Sequence, residues 1–312
     1  TELAAHHDPA ASFPAPTSPP RIYSRPANPL AEWIANGHVR NIKFQSSFEA
    51  VNPAMRDTWR RLTRNNIVRA QHWRHDDDGP HPTLCAIHGF MGSAHLLNDL
   101  FFSLPWFYRW GYDVLLYTLP FHGRRAEKYS PFGGYGYFSH GLGGLAEATA
   151  QAVHDFRSLI DYLQFTGVDK IALTGVSLGG YTAALLAAVE DRLAAVIPNM
   201  PVVSVEAEME QWFPANRLFT LARRIGGVDR DEFVAALAYH SPLNYTPVVP
   251  RERRLIIAGL GDRLASPQQA ELLWHHWDHC DLYWFPGNHI VHVSQPEYLR
   301  RITGFLAEFM FD

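Results

Sequence analysis

Six short stretches of the chain are apolar at consecutive positions: 83–87, 112–118, 170–176, 193–198, 254–259 and 281–285. A half-exposed strand alternates apolar and polar residues, so runs without alternation mark strands buried on both faces. Between them lie segments with helical spacing. In 145–165, Ala148, Ala152, Val153, Phe156, Leu159, Ile160 and Leu163 form one apolar stripe, which stops near Gly167. Further helices are predicted at about 95–109, after 178, at 267–277 and at 296–310. Residues 66–74 instead alternate Ile67, Arg69, Gln71 and Trp73 against Val68, Ala70 and His72, as an outer strand does. Strand and helix alternating in this way predict an α/β fold, a mostly parallel sheet with helices on both faces. Ligands of such sheets sit at the carboxyl ends of the strands.

Three segments break the alternation. Residues 8–30 carry Pro9, Pro14, Pro16, Pro19, Pro20, Pro26 and Pro29, and read as an extended N-terminal arm, neither helical nor mid-sheet. Residues 119–145 lack periodicity and hold six glycines from Gly133 to Gly144. Phe132, Tyr135, Tyr137 and Phe138 make this a packed functional loop. Residues 199–249, with Trp212, Phe213, Leu218 and Phe219, read as an inserted cap with a helix at 229–239. The predicted organisation is an arm over 1–40, a core over 41–198 and 250–312, and a small cap over 199–249. Pro53 opens a further predicted helix at 53–64.

The chain has 312 residues, and 27 Lys+Arg against 31 Asp+Glu leave a net charge of −4. No basic stripe runs along the sequence, which argues against a nucleic-acid partner. No apolar run is long enough to span a membrane, and no basic-then-apolar leader opens the chain. Cys85 and Cys280 both lie in apolar runs and read as buried thiols. A cytoplasmic location is the expectation. His275, His276, His279 and Cys280 include a helical i, i+4 pair but lack a full zinc-ligand pattern, and Asp76–Asp78 read as a solvated turn. Neither a metal nor another cofactor is expected.

The chemistry gathers around 170–190, which reads as strand, turn and Ala/Leu-rich helix. At the turn stands Gly175-Val176-Ser177-Leu178-Gly179, a G-x-S-x-G pentapeptide in the strand–turn–helix context of a nucleophile elbow. Serine needs a base to take its proton, and the base needs an orienting acid. Gly261-Asp262 and Pro286-Gly287-Asn288-His289 follow the last two core strands, in the order Ser, Asp, His. His88-Gly89-Phe90 follows the strand at 83–87. With these motifs the chain, over about 66–311, resembles the α/β-hydrolases. Pro120-Phe121-His122-Gly123-Arg124-Arg125 and Gly-Val-Ser-Leu-Gly-Gly further resemble an uncharacterised bacterial-type branch of them.

That resemblance implies Ser177 as nucleophile, His289 as general base and Asp262 as its orienting carboxylate. It implies the backbone N–H groups of Leu178 and Phe90 as oxyanion donors, with Met91 the alternative to Phe90. His292 is a rival base, and Asp278 and Asp281 are poorly placed rival acids. His88 reads as a residue that shapes the oxyanion loop. His122, placed near the pocket mouth, reads equally as a substrate contact or a satisfied loop histidine. Met91, Trp212 and Phe213 complete a candidate substrate pocket with His88 and His122. Arg124 and Arg125 suit an anionic substrate group or a salt-bridged pair. The implied activity is hydrolysis of a small-molecule ester or thioester with an apolar or aromatic acyl group. Acyl transfer, C–C or peptide hydrolysis, and a non-catalytic binding role remain open. An assembly of identical copies is compatible with the sequence.

Overall fold

The computed structural model describes residues 8–76, 79–90, 103–211, 230–290 and 295–311. Nine strands form one sheet: β1 (Tyr23–Pro26), β2 (His38–Gln45), β3 (Ile67–Arg74), β4 (Thr83–Ile87), β5 (Asp113–Thr118), β6 (Ile171–Val176), β7 (Leu193–Asn199), β8 (Leu255–Gly259) and β9 (Asp281–Phe285). Their order across the sheet is β1-β2-β3-β5-β4-β6-β7-β8-β9. The first three strands and β5 pair antiparallel in sequence across the sheet, and everything from β5 to β9 is parallel. Every residue of β4, β5, β6 and β8 is buried, which is why their sequences do not alternate.

The described helices are α1 (Pro9–Ser12), α2 (Pro29–Ala35), α3 (Arg56–Arg61), α4 (Leu104–Arg109), α5 (Gly136–Ser139), α6 (Gly141–Phe165), α7 (Leu178–Val189), α8 (Val205–Gln211), α9 (Arg230–Ala238), α10 (Pro267–His276) and α11 (Gln295–Met310). Two apolar layers flank the sheet. On one face Ile42, Val68, Ala70, Leu115 and Tyr117 pack with α6, α7 and α10. On the other, Val39, Trp73, Val114 and Leu116 pack with α2, α4 and α11. Full burial of one such aliphatic side chain contributes about 1.5–3 kcal/mol. Among the described residues, no helix is long and apolar enough to cross a membrane.

Several boundaries differ from the sequence reading. The arm is not uniformly extended, because Pro9 sits at the first turn of α1, where its missing N–H costs nothing, and Asp8 caps that turn. Its strand β1 does lie at the sheet edge, where Pro26 is tolerated. Nor is the arm loose. Phe13 is 1% exposed and meets the Tyr245 ring edge-on at 5.4 Å. The Tyr245 hydroxyl bonds Ser12 Oγ at 3.1 Å, and His154 Nδ1 donates to Pro14 O at 2.9 Å. The long helix begins at Gly141, four residues before its predicted start at 145. Gly143 faces Met55 there, the site of a Cβ lying at an ordinary contact distance of 3.7 Å from its sulfur. Residues 53–55 are a 3-10 turn leading into the shorter α3. Asn199, the first residue of the expected cap, is the last of β7. The predicted helix at 95–109 is described only from 104 onward.

Candidate active site

Steric crowding fixes the turn after β6. A Cβ on Gly175 would lie 2.2 Å from Gly179 O, and one on Gly179 would lie 2.0 Å from Ile87 O. Only glycine allows β6, α7 and β4 to approach so closely. Between them Ser177 adopts φ 55°, ψ −114°, a conformation that costs an L residue about 1–3 kcal/mol. Its N–H is held by Asn199 O at 3.0 Å, and its carbonyl accepts from Tyr181 N–H at 2.9 Å, the first bond of α7. Leu178 opens that helix, so its N–H is one of the donors that helical bonding leaves free.

The loop after β4 lies against the serine: a Cβ on Gly89 would be 3.3 Å from Ser177 Cβ. His88 is 2% exposed and accepts the Leu119 N–H at its Nε2, 3.1 Å away. That bond leaves Nδ1 to donate to Gly89 O at 2.8 Å. The ring is thereby fixed as a brace between two loops, with neither nitrogen free to act as base. The Phe90 ring meets His122, Phe132 and Phe138 edge-on at 5.9, 6.0 and 5.5 Å.

His122 is not at a pocket mouth. It is fully buried, with Nδ1 donating to Pro120 O at 2.7 Å and Nε2 without a hydrogen-bond partner. Burial, and then the neighbouring His88, hold its ring well below the usual histidine range, so it is neutral. A Cβ on Gly134, at φ +91°, would fall 2.5 Å from the Phe90 ring and 2.6 Å from His122 Nε2. His122 therefore acts as packing beneath Phe90. Met91, Trp212, Phe213 and the rival base His292 lie outside the described residues.

Asp262 and His289 meet across the loops after β8 and β9. Asp262 Oδ2 accepts from His289 Nδ1 at 2.7 Å, and its side chain is 0% exposed. Oδ1 accepts the N–H groups of Leu264 and Ala265 at 2.8 and 2.9 Å. Gly261 N–H bonds Gly287 O at 2.8 Å, which ties the two loops together. His289 keeps 16% of its side chain exposed. Among the described residues no hydrogen bond joins Ser177 to His289; such contacts commonly tighten only around substrate. Asp278 precedes β9 and Asp281 opens it, at the end of the strand opposite His289, and Asp281 pairs with Arg301.

Sequence reasoning missed the supports of this site. Phe121 holds φ 60° because Asn65 Oδ1 accepts its N–H at 2.9 Å. Arg125 is fully buried and donates to Asn65 O, Thr118 O and Tyr117 OH, and to Asp155 Oδ2 at 2.6 Å. It is the salt-bridged partner of the two readings and has no access to substrate, whereas Arg124 is exposed. Nothing local marks Asn65, which stands 60 residues before Arg125. Asn199, which holds Ser177, also bonds Tyr298 of α11. His275 Nδ1 and His279 Nε2 lie 3.1 Å apart, and no group of three or more potential metal ligands occurs among the described residues.

Comparison with known proteins places this geometry in context. The profile of the prolyl oligopeptidase family matches residues 144–310. An uncharacterised protein of Mycobacterium tuberculosis is 33% identical over 243 residues, 74% of this chain and 54% of its own length. The chain thus spans about half the length of the curated relatives it matches. Acetyl xylan esterase 1 from Thermoanaerobacterium superposes with a TM-score of 0.70 at 16% identity, over 100% of this chain and 94% of that one. The Pyrococcus furiosus esterase Pf2001 gives 0.60 at 15% identity, over 94% of this chain and 100% of the other. At such identities these likenesses speak for the fold, and the α/β-hydrolase fold expected from the motifs is the fold present.

Proposed function

Because the chain belongs to the prolyl oligopeptidase family of α/β-hydrolases, we propose that it is a serine hydrolase cleaving carboxylic esters or thioesters through an acyl-enzyme on Ser177. The observation that carries this reading is Asp262, buried and pinned by two backbone N–H groups, with its second oxygen on His289 Nδ1. That arrangement puts the proton on Nδ1 and leaves Nε2 basic. Ser177 Oγ attacks the acyl carbon while its proton passes to His289 Nε2. The carbonyl oxygen gains the negative charge and is received by the N–H groups of Leu178 and Phe90. The imidazolium then gives its proton to the leaving alkoxide or thiolate as the bond to the acyl carbon breaks. Water, deprotonated by the same histidine, attacks the acyl-enzyme and releases the acid and Ser177. Each oxyanion donor is expected to contribute about 100- to 1000-fold in rate.

Exposed apolar side chains support an apolar or aromatic acyl group. Phe132 and Phe138 meet Phe90 on one side, with Tyr135 against Phe132, and Leu260, Leu264 and Ile290 flank the Asp262 and His289 loops on the other. The segment over 199–249 is proposed as the cap over this region. Peptide hydrolysis is a second reading, favoured by the family match.

The test is fluorophosphonate labelling read by mass spectrometry, beside Ser177→Ala, with p-nitrophenyl esters of increasing chain length and short peptide p-nitroanilides as substrates. One adduct on Ser177, with ester turnover absent from the variant, is the expected result. Turnover of peptides in preference to esters would select the second reading. No label and no turnover of either substrate would overturn both.

A further inference from the structure

The sheet face that carries α2 and α4 is only partly covered by them. Beneath these helices lies the β2–β3 pair Val39 and Trp73. The next two rungs on the same face are Arg25–Asn41–Gln71 and Tyr23–Lys43–Arg69, across β1, β2 and β3. Lys43 and Arg69 are therefore like charges directly opposite each other, an arrangement that destabilises a strand pair. Arg25, Arg64 and Arg124 are exposed; Arg64 lies in the turn into β3, where its carbonyl accepts the Ile67 N–H at 3.3 Å, and the 3-10 turn that carries Arg124 packs against β3. Besides its partial burial, the influences on Arg69 are all cationic, from Arg124, Arg25, Arg125 and Arg64 in that order.

Of these, Arg125 is neutralised by Asp155. The other ion pairs of described arginines engage Arg60, Arg157, Arg192 and Arg301, and leave Arg25, Arg64, Arg69 and Arg124 out. Arg69 Nε is moreover buried with no hydrogen-bond partner among the described residues. A buried donor without an acceptor is costly, and so is a cluster of one sign in a chain whose net charge is −4. One multivalent oxyanion would relieve both.

We propose that Arg69, with Arg25, Arg64 and Arg124, forms a binding site for a phosphate-class oxyanion. Guanidinium groups suit this ligand because their planar N–H forks match its oxygens in pairs. The site lies on β1, β3 and the turn after β5, and does not depend on the hydrolase reading. Its surroundings bear on the source of the phosphate. Tyr23, Leu30 and Trp33 are 52%, 51% and 78% exposed on β1 and α2 beside it. A headgroup on a bilayer would bring lipid against that apolar shoulder, whereas a free phosphate would leave it untouched.

The experiment is isothermal titration and thermal scanning with inorganic phosphate and pyrophosphate at about 10 mM ionic strength, where charges are least screened. In parallel, flotation is measured with phosphatidylglycerol-containing vesicles and with phosphatidylcholine vesicles. The wild type is expected to bind at least one of these anionic probes. Arg69→Gln and Arg124→Gln should each weaken that binding by about tenfold or more, the worth of one charge-assisted hydrogen bond. Arg300→Gln, on α11, should leave it unchanged. Without anion, Arg124→Gln should melt no lower than wild type, since it removes a repulsion and no partner. Retention by phosphatidylglycerol vesicles alone assigns the oxyanion to a lipid, and response to the free anions alone assigns it to a soluble ligand. Should Arg69→Gln fail to fold, the exposed Arg124→Gln and Arg25→Gln carry the test. Absence of binding to every anionic probe, or equal binding by wild type and these variants, overturns the proposal. Because no readout needs turnover, its failure is distinct from failure of the hydrolase reading.

Discussion

Replacing Asp262 with Asn changes the donor–acceptor pattern of the site without changing its shape. In the native chain Oδ1 accepts from Leu264 and Ala265, and Oδ2 from His289 Nδ1. An Asn here has one acceptor and one donor group to place. Turning its NH2 toward the two backbone N–H groups would set donor against donor and leave both unsatisfied, at about 1–3 kcal/mol each. The amide oxygen must therefore keep the Oδ1 position, and the NH2 must face His289. Nδ1 then becomes the acceptor, the ring proton moves to Nε2, and His289 cannot take the proton of Ser177. Activity should fall by about 10⁴-fold, or ~5.5 kcal/mol of barrier, the size of effect known for this change in a Ser-His-Asp triad. Stability should stay within about 1 kcal/mol, because the turn keeps its acceptor. Asp262→Ala removes that acceptor as well and should cost roughly 2–4 kcal/mol in addition to activity. Initial rates on a p-nitrophenyl ester and urea unfolding measure both quantities. If Asp262→Asn kept a tenth of native activity, or was destabilised as much as Asp262→Ala, the orientation argument would be wrong.

Other substitutions probe the frame. Gly179→Ala would set a Cβ 2.0 Å from Ile87 O, so it should cost more than about 3 kcal/mol, whereas Gly304→Ala, in an exposed turn of α11 with nothing within 4 Å, should gain about 0.5–1 kcal/mol; urea midpoints moving together would refute the distinction. Arg125→Gln leaves Asp155 buried without its cation and should cost about 3–5 kcal/mol. Adding Asp155→Leu to Arg125→Met should recover part of that loss, and strict additivity in the double-mutant cycle would contradict it. Burial pushes His240 down to about 4, and burial with Arg74 pushes His72 down to about 3. Both rings are neutral when folded and gain protons on unfolding. Their contribution is thus complete above about pH 6.5 and declines below it, by about 1.4 kcal/mol per pH unit for each ring, until the folded values are reached. His72→Phe should therefore lose about 2 kcal/mol less than wild type between pH 7 and pH 5, and identical losses in urea titrations would show that His72 protonates freely in the fold.

The parts legible in sequence were those dictated by local chemistry. A strand buried on both faces must be apolar throughout, so the six core strands stood out. The elbow could be read because its glycines answer to clashes within a few residues of Ser177, apart from the Ile87 carbonyl. Asp262 and His289 could be read because each follows a strand directly. Long-range effects were hidden. The start of α6 was obscured because Gly141, Gly143 and Gly144 add nothing to an apolar stripe, and the Met55 beside them comes from a distant turn. The sequence left His122 open between a substrate contact and a loop histidine, because its neighbours Gly134 and Phe90 come from other parts of the chain. The arginines around Arg69 come from positions 25, 64, 69 and 124, so no basic stripe announces them. Pairing of β1, β2 and β3, with the turn after β5, is what assembles them.

The docked arm has a consequence for the order of events during synthesis. Ser12 and Phe13 leave the ribosome long before their partner Tyr245, which stands 233 positions after Ser12. Until that residue emerges, Phe13 has no aromatic edge to meet, and until His154 emerges Pro14 lacks its donor. A segment made well before its partners is thus among the last to settle. Closing so wide a loop is slow, because chain entropy is lost before the contacts that reward it form. A nascent chain halted before residue 245 would carry an unburied Phe13 and an open seam along α6, and would be a ready target for chaperones or proteases.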